Sequence, residues 1–466
     1  MKTLDRYIVR SFLVSAMLSL VVLMSMRIIA DLFVNMDEFT KTKQVRVERT
    51  AAGVVEDIVS YYGHQALVYF RDLSGIIIVA AATFTLWRMN HTNELTAMLA
   101  SGVSLHRVLL PIVFCCIGLN LLVIVDSELL IPNVKYELVR NRDDPAGTDA
   151  YQVRLVTDAQ DSVWYSQQLI PSEGRLRDPV IVLRDERLAY AGHISGPEMA
   201  YDETSGEWRL SPSSNAQAIL AIPGWKYAPS TERIPTHVGP ARIIENAVAR
   251  SGDGGPINWA KTPGIGNINI ADASLGLTIS AKRMGIRVDG DRVAGTTLEQ
   301  ARFTYHRPNN QVYATFVAPE ATYKDDPRDF GWWLTGGKLV YASDLTPPDL
   351  SLRQSSNWLS LMSTTELTGL LRLQRVPDLE NAMLVRHCRF ADFFNNLLLL
   401  LVAVPFILSR ERKIKASAGL TVLMVIVVYV FIYTSRYVGL SPALAAWLPM
   451  LIFGPVAALM LDSVKT

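Results

Sequence analysis

Cysteine is scarce in this sequence, which has three among its 466 residues. Cys115 and Cys116 are neighbours inside an apolar run, and Cys388 stands just before another. The large polar middle of the chain contains no cysteine. This distribution excludes a disulfide framework and a C-x-x-C metal site. We therefore expect the thiols to pack as small apolar side chains, and the polar middle to be held by its own hydrophobic core.

Sequence motifs of catalysis are absent as well. The chain has no G-x-x-x-x-G-K-[ST] phosphate loop, no H-E-x-x-H zinc helix and no G-x-S-x-G nucleophile elbow. Its seven histidines are scattered, with no pair at ligand spacing on one helical face. Adjacent acids such as Glu56-Asp57 and Asp325-Asp326 are typical of solvated faces and turns. We predict no catalytic residue, no metal and no cofactor, so the energy for any work must come from a partner.

Charge is also limited, at 19% of residues with a formal net charge of +1. Half of the residues are hydrophobic and unevenly spread, and the mean hydropathy is +0.20. The small net charge gives no overall bias toward nucleic acid, and we expect no nucleic-acid partner. The apolar excess is typical of a membrane protein.

Long hydrophobic segments predict the fold class. A helix needs about 20 apolar residues to cross a hydrocarbon core of about 30 Å. Six segments qualify or nearly qualify, three on each side of the polar middle: 12–30, 66–87, 108–125, 390–408, 416–433 and 443–461. The prediction is a membrane α plus all-β protein, with six transmembrane helices flanking a β-rich domain. The predicted domains are two transmembrane halves, 1–125 and 386–466, and a β domain at 126–385 that has room for an insertion.

The distribution of Lys and Arg predicts the orientation, because positive residues are retained on the cytoplasmic side of short connections. Connections on the side of the two chain termini carry more of these residues than the opposite connections. The largest group is Arg410, Arg412, Lys413 and Lys415. Both termini are therefore predicted to be cytoplasmic, and the β domain is predicted to face outward.

Several spans contain ionisable or amide side chains, which are costly in a bilayer unless they are paired, hydrated or turned toward a cavity. Two interpretations stay open. The arginines can extend to the interface by snorkelling, or the group can line a polar cavity that opens laterally at the outer leaflet. The residues concerned are Arg27, Asp31, Arg71, Asp72, Asp392, Asn395 and Asn396.

The polar middle has the texture of short strands. From about residue 151 to 350, runs of β-branched and aromatic residues alternate with Gly, Pro, Asp and Asn, which predicts an all-β sandwich or jelly roll. Two stretches, 199–210 and 321–334, each contain a strand, an acid-rich turn, a Gly and a Trp, as expected of β-hairpins. The run 247–263 predicts a loop or inserted linker. Ser-Thr-Thr-Glu at 363–366 predicts a capped helix start.

The connection after the second span has the sequence NELTAMLASG at residues 93–102. Leu95, Met98 and Leu99 recur at helical spacing, and Gly102 is placed to end the helix. The pattern predicts a short amphipathic helix with Glu94 exposed at its start. Such a helix can lie flat at the interface, or it can dock into a groove of a cytoplasmic partner.

Several features occur together in an order that resembles a known family. They are Leu4-Asp5-Arg6-Tyr7-Ile8 opening the first span, Asn93-Glu94-Leu95 with Met98, Ala100, Ser101 and Gly102 in this loop, hairpins ending in Gly206 and Trp208 or Gly331 and Trp333, and Pro405-Phe406 closing the fourth span. Together with the arrangement of three spans on each side of a β domain, they resemble the LptF/LptG permease family. Its members are the membrane subunits of the ABC exporter that extracts lipopolysaccharide from the inner membrane.

The resemblance implies a role for each part of the chain. The helix with Glu94, Leu95, Met98, Leu99 and Gly102 would be a coupling helix, whose Glu enters a groove of a cytoplasmic ABC ATPase dimer that uses ATP. The chain would pair with a second LptF/LptG-type permease in the bacterial inner membrane. Its β domain would be a jelly roll that passes acyl chains to a periplasmic jelly-roll bridge protein. The cargo would be lipopolysaccharide or a similar membrane lipid, exported for outer membrane biogenesis.

The resemblance also implies sites for the lipid. Spans one and five would form lateral gates, with basic residues near their outer ends contacting lipid phosphates. By position the candidates are Arg27, Lys41, Lys43 and Arg436. Beside the membrane, Arg386 and Arg389 form a basic cluster that either anchors the chain at the interface or meets anionic head groups.

Two other classes of function compete with transport. A membrane-anchored β scaffold would recruit envelope proteins without ATP coupling, and the loop at Glu94 discriminates between that function and transport. A membrane enzyme acting on lipids would need acids or histidines clustered at one membrane face, and the sequence lacks such a cluster.

Overall fold

The computed structural model describes residues 3–40, 51–139, 150–185, 187–210, 217–220, 229–251, 264–289, 292–306, 312–326, 330–372, 376, 378–407 and 414–463. The chain divides into two compact units. The membrane unit combines Met1–Pro145 with Asn357–Thr466, and the β unit is Ala146–Ser356. The described residues within 126–145 and 357–385 cluster with the membrane unit, and the predicted domain bounds stay a prediction.

Long apolar helices build the membrane unit. In the described part of the chain, five helices are long and apolar enough to cross a membrane: Leu4–Asn35, Ile58–His91, Leu105–Asn133, Leu379–Phe406 and Pro442–Leu461. A shorter apolar helix, Gly419–Ser435, lies where the fifth of the six predicted spans was expected. Apolar helices thus flank a β domain in the sequence, which confirms the fold class, and the count of six spans stays a prediction.

The helices of the membrane unit include short pieces at the ends of the spans. A π-helical turn, Asp126–Leu130, directly follows the helix Leu105–Val125. The helices are α1 Thr3–Thr40, α2 Ala51–His91, α3 Glu94–Ala100, α4 Leu105–Val125, α5 Ile131–Asn133, α6 Lys135–Leu138, α9 Trp358–Leu361, α10 Thr364–Arg372, α11 Leu379–Ile407, α12 Ile414–Ser435 and α13 Pro442–Ser463.

The first helix, α1, buries one face and exposes another, although both faces are mainly apolar. Ile8 and Phe12 of α1 are fully buried in one core cluster with Leu86 of α2. Leu13 and Leu18, on the same helix, are exposed. A helix that is apolar all round is typical of a membrane span, so the exposed side is the one that meets lipid or another subunit.

The described β unit has fourteen strands in one sheet, two α-helices and a 3-10 turn at Pro171–Glu173. The helices are α7 Pro240–Ser251 and α8 Pro347–Gln354. The strands are β1 Tyr151–Thr157, β2 Val163–Ile170, β3 Arg175–Arg184, β4 Tyr190–Ser195, β5 Glu198–Asp202, β6 Glu207–Leu210, β7 Gln217–Leu220, β8 Arg233–Ile234, β9 Gly264–Asp272, β10 Leu277–Asp289, β11 Arg292–His306, β12 Val312–Lys324, β13 Gly331–Thr335 and β14 Lys338–Ala342.

All strand pairings between described residues are antiparallel. The main path is β1-β2-β3-β5-β6-β14-β12-β11-β10-β9, β4 joins β3 to β7, and β13 joins β12 to β8. Val153 of β1 and Ile268 of β9, at the two ends of the path, belong to the same core cluster as Phe303 of β11. The two ends of the strand path therefore contribute side chains to one shared core.

A buried carboxylate satisfies several donors in this core. Asp158 accepts hydrogen bonds from Trp164 Nε1 at 3.0 Å, from the Tyr341 hydroxyl at 2.9 Å and from the backbone N–H of Ser162 at 2.8 Å. Burial raises the pKa of Asp158 above its ordinary value, although these hydrogen bonds oppose the rise. The carboxylate is therefore a structural acceptor, as buried polar groups usually are.

The two repeated stretches form hairpins, as predicted. β5 and β6 pair Tyr201 with Trp208, and β12 and β13 pair Tyr323 with Trp332. The ring centroids of the two Tyr–Trp pairs are 5.1 Å and 5.2 Å apart. Each indole is buried and donates a hydrogen bond to a backbone carbonyl. The two hairpins therefore use the same aromatic contact.

The sequence predicted that Trp333 in the second hairpin corresponds to Trp208 in the first. This prediction was wrong. Trp332, directly after Gly331, pairs with Tyr323 and is fully buried. Because adjacent side chains of a strand point to opposite faces, Trp333 lies on the other face, where the Lys324 ammonium is 4.1 Å from its ring centroid.

Two further local predictions have clear outcomes. The capped helix start is confirmed, because the Ser363 N–H donates to Glu366 Oε2 at 2.8 Å and the Glu366 N–H donates to Ser363 Oγ at 3.2 Å. The predicted loop 247–263 is wrong for its first residues, since α7 continues to Ser251. Its remainder, 252–263, lies outside the described residues.

Candidate functional site

A cavity of about 790 Å³ lies inside the membrane unit. Its lining includes residues of α2, of α4 and the π-helical turn, of α11 and of α12. The polar residues of spans two and four meet here: Arg71, Asp72, Asp392, Asn395 and Asn396 all line it. The interpretation of a polar cavity therefore holds for these residues, and its lateral opening at the outer leaflet stays a prediction.

The cavity lining is amphipathic. Phe393, Phe394 and Leu399 of α11 and Tyr429 and Tyr433 of α12 lie beside the charged groups. Ligand sites combine apolar walls with a few placed polar groups, since the walls supply contact area and the polar groups fix orientation. The arrangement suits a molecule that has both an ionic and an apolar part.

Asn396 joins three spans at this cavity. Its Nδ2 donates to Ser74 Oγ of α2 at 3.2 Å and to Asn120 Oδ1 of α4 at 2.9 Å. Gly75 permits the approach, because a Cβ at that position would lie 2.5 Å from Asn396 Oδ1. Small residues and interhelical hydrogen bonds hold helices together in lipid, because burial of apolar side chains between helices does not stabilise their association there. The cavity thus has a rigid polar wall.

Arg436 forms an ion pair with Asp392 at the cavity. Arg436 directly follows the end of α12, and its Nη2 donates to Asp392 Oδ1 of α11. Its guanidinium carbon also lies 5.2 Å from the Tyr433 ring centroid. A guanidinium has five N–H donors. Arg436 can therefore keep its ion pair with Asp392 and still donate a hydrogen bond to an anionic group in the cavity.

Arg389 lines the same cavity and is held by the protein. Its Nη1 is 3.2 Å from Glu128 Oε1, and its Nη2 donates to two backbone carbonyls at the end of α9. Glu128 also accepts from the Thr364 N–H at 2.8 Å. These contacts tie α11 to the π-helical turn and to α10. Arg389 is therefore first a packing contact, and its candidacy as a lipid ligand stays a prediction.

Another ion pair joins α6 to α10, whose first residue, Thr364, takes part in this network. Lys135 Nζ of α6 is 2.8 Å from Glu366 Oε1 of α10. Burial alone would raise the pKa of Glu366, but hydrogen bonds from Lys135 and Ser363 outweigh it and lower that pKa below its ordinary value. Glu366 is therefore ionised at neutral pH, so it can accept the hydrogen bond of the helix cap from Ser363 and form the ion pair with Lys135.

The other basic candidates lie elsewhere or outside the described residues. Arg27 is exposed on α1, with its guanidinium carbon 5.0 Å from the Tyr69 ring centroid of α2. Arg386 is half-buried on α11, and neither it nor Arg27 belongs to the described lining of the cavity. Lys41 and Lys43 lie outside the described residues. The structure thus brings Arg436 and Arg389 together, and it leaves Arg27 and Arg386 apart from them.

The short helix predicted after the second span is α3, seven residues long. Leu95 is buried, and Met98 and Leu99 pack against the core of the membrane unit. Gly102 ends the turn with a φ of +84°, a value that favours glycine. The apolar side of α3 is therefore anchored to its own spans, and its polar side with the half-buried Glu94 is the part that a partner can reach.

These features define a multi-pass membrane protein with an amphipathic cavity among its spans. The family model of the lipopolysaccharide export system permease LptF/LptG matches residues 6–213 and 274–462. The chain therefore belongs to the LptF/LptG family of lipopolysaccharide transport permeases, which confirms the resemblance. Residues 214–273 lie between the matched ranges. Among curated proteins, no match to this chain was found.

Several residues of the site escaped sequence reasoning. Glu128 was outside the predicted third span, which ended at Val125, and the structure continues that helix through a π-helical turn. Ser74 and Asn120 are uncharged, and Asn120 is isolated in an apolar run. Asn120 had a usable signal, because an amide in a span needs a partner.

Proposed function

We propose that this chain is a membrane permease subunit of an ABC exporter. It extracts lipopolysaccharide or a similar amphipathic lipid from the bacterial inner membrane and passes it to a periplasmic bridge of jelly-roll domains. The amphipathic cavity of about 790 Å³, in a chain of the permease family, is the observation that carries the proposal. That volume is typical of a site for a small molecule, so the cavity would receive part of a lipid head group and not a whole lipid.

The polarity of the cavity supports a phosphorylated head group. Arg436 presents a planar fork of donors, which matches phosphate geometry. Asp392 beside it forms an ion pair with the guanidinium, so this arginine does not stay unpaired in the membrane. Tyr429 and the Phe side chains beside the pair offer contact area to the apolar part of the lipid.

Energy enters through α3 in this proposal. A cytoplasmic ATPase dimer hydrolyses ATP and contacts Glu94, and α3 passes the motion to the spans because Leu95, Met98 and Leu99 anchor it there. The chain needs no cofactor of its own. It acts with a second LptF/LptG-type permease, with spans one and five at the contacts between subunits.

Glu94→Ala tests the energy coupling. In the full chain, purified through a tag from its source cells, we expect the amount of copurifying cytoplasmic ATPase to fall about tenfold or more, since an interfacial charge loses its partner. Glu203→Ala is the matched control, because it removes the same side chain from an exposed turn of the β unit. If Glu94→Ala retains the ATPase as well as the wild type does, the scaffold function replaces transport.

Arg436→Gln tests the cargo site. Mass spectrometry of the lipids bound to the purified chain should show less lipopolysaccharide relative to phospholipid than in the wild type. Arg154→Gln, at an exposed strand position of the β unit, should leave that ratio unchanged. Equal ratios in all three proteins would remove Arg436 from the lipid site.

Orientation is part of the proposal and has its own test. We propose cytoplasmic termini and a periplasmic β unit. Cysteines introduced at the exposed Ser101 and Thr204 should react differently with a membrane-impermeant maleimide applied from outside. Thr204→Cys should be labelled and Ser101→Cys protected, and the opposite result would reverse the orientation.

A further inference from the structure

The segment Leu4–Ile8 has no role in the function proposed so far, yet one of its side chains reaches α3. The hydroxyl of Tyr7 donates a hydrogen bond to Glu94 Oε2 at 2.7 Å. The two residues are 87 positions apart in the sequence. The bond therefore joins the first turns of α1 to the first residue of α3.

Both ends of this hydrogen bond are held by packing. Ile8 of α1 and Leu95 of α3, the immediate neighbours of the bonded residues, are buried in the same core cluster of the membrane unit. Tyr7 itself is 37% exposed, so its hydroxyl lies at the surface with the carboxylate. A bond between two anchored backbones needs little additional ordering to form.

We propose that Tyr7 is a positioning residue for Glu94. Its hydroxyl holds the carboxylate in the orientation that the ATPase recognises, and it links α3 to span one. This inference rests on the proposed function, in which Glu94 contacts the ATPase. The partner's group facing Glu94 would be a cation or another hydrogen-bond donor, because an ionised carboxylate is an acceptor only.

The chemistry allows Glu94 to serve both contacts at once. A carboxylate has two oxygens and about four lone-pair sites, so it can accept from Tyr7 and from a basic side chain of the partner together. A free Glu side chain loses rotamer freedom when it is immobilised at an interface. Tyr7 restricts that freedom before the partner arrives, which makes association more favourable.

Tyr7→Phe is the direct test, because it removes the hydroxyl and keeps the ring. In the full chain, we expect about three- to tenfold weaker binding of the copurified cytoplasmic ATPase, because the Glu94 side chain must then lose its rotamer freedom on association. Glu94→Ala should weaken binding more. Tyr7→Phe combined with Glu94→Ala should bind no more weakly than Glu94→Ala alone, because the hydroxyl acts only through the carboxylate.

Tyr62→Phe is the matched control. The Tyr62 hydroxyl donates to Asp31 Oδ2 at 2.9 Å and so also joins α1 to another helix, but near the opposite end of α1. It should leave ATPase binding unchanged. Melting temperatures of all variants show whether a loss of binding reflects loss of folding.

The outcomes separate this inference from the function on which it rests. If Glu94→Ala leaves binding unchanged, the proposed function fails and this inference with it. If Glu94→Ala weakens binding but Tyr7→Phe does not, the function stands and the positioning role is overturned. A further loss from Tyr7→Phe in the Glu94→Ala background would also overturn it, since the tyrosine would then act by another route.

Discussion

Phe33 of α1 and Phe303 of β11 are the same side chain in opposite surroundings. Phe33 is 84% exposed, and Phe303 is fully buried. The contrast extends to the two units. In the described residues, the membrane unit exposes large apolar side chains along α1, α4, α12 and α13, whereas the largest fully buried side chains of the chain are Trp164, Trp208 and Trp332 of the β unit.

The difference shows that the two units fold in different solvents. Removal of apolar surface from water stabilises the β unit. It does not hold the spans together, because lipid tails are as apolar as the side chains that would be buried. The membrane unit relies instead on close packing and on polar contacts such as Asn396 with Asn120 and Arg389 with Glu128.

The largest expected effect comes from the β core. Trp208→Ala should lower the free energy of unfolding by about 3–5 kcal/mol, as for other buried aromatic truncations. The variant creates a cavity and leaves the Leu345 carbonyl without the indole donor that is now 2.7 Å away. Denaturant unfolding of the full chain in detergent, followed by near-ultraviolet circular dichroism, measures the change.

Tyr165→Ala is the control for Trp208→Ala. Tyr165 lies on β2 at the surface of the same unit. Its truncation should stay within about 0.5 kcal/mol of the wild type. Similar losses for the two variants would mean that burial does not decide stability in this unit.

The second prediction compares two exposed leucines. Leu121 of α4 is 54% exposed and Leu155 of β1 is 69% exposed. Leu121→Asp should disfavour membrane insertion by about 3 kcal/mol, the cost of a charge at the centre of a span. Leu155→Asp should change stability by less than about 0.5 kcal/mol, because its surroundings are water and Asp tolerates the positive φ found there.

The yield of folded, detergent-extracted protein measured by size-exclusion chromatography compares these two variants. Leu121→Asn is the useful control, since it is polar without a charge and should lose less yield than Leu121→Asp. Equal yields for Leu121→Asp and Leu155→Asp would contradict the assignment of that face of α4 to lipid.

Much of the fold could be predicted because it follows from local patterns. Apolar runs marked the spans, short β-branched runs marked the sheet, and Ser363 with Glu366 marked a helix start. The end of the third span could not be read in this way. Asp126 and Glu128 look like the end of an apolar helix, and the chain stays helical there because Glu128 meets Arg389, a residue far along the sequence.

The candidate site was predictable only in part for the same reason. Arg71 and Asp392 stood out because charges are rare in spans, and the structure places them at one cavity. The partners of these residues could not be predicted, because no local sequence pattern relates Arg436 to Asp392 or Tyr7 to Glu94. The position of Trp332 shows a related limit, because a spacing of one residue decides which face of the sheet a side chain occupies.

The smallest expected effect concerns the carboxylate of Asp202 in the β unit. Hydrogen bonds from the Thr204 hydroxyl and N–H hold the pKa of Asp202 below its ordinary value of 3.8. A lowered folded-state pKa adds stability above the unfolded pKa, and that stability is lost as pH falls through the folded value. Asp202→Asn should therefore lower the melting temperature slightly at pH 6, and the difference from the wild type should shrink below pH 3.8 and disappear as pH falls through the lowered folded pKa. Thr204→Ala should show the same trend more weakly, because the backbone donor remains. A difference that persists unchanged to low pH would show that Asp202 acts through packing and not through its charge.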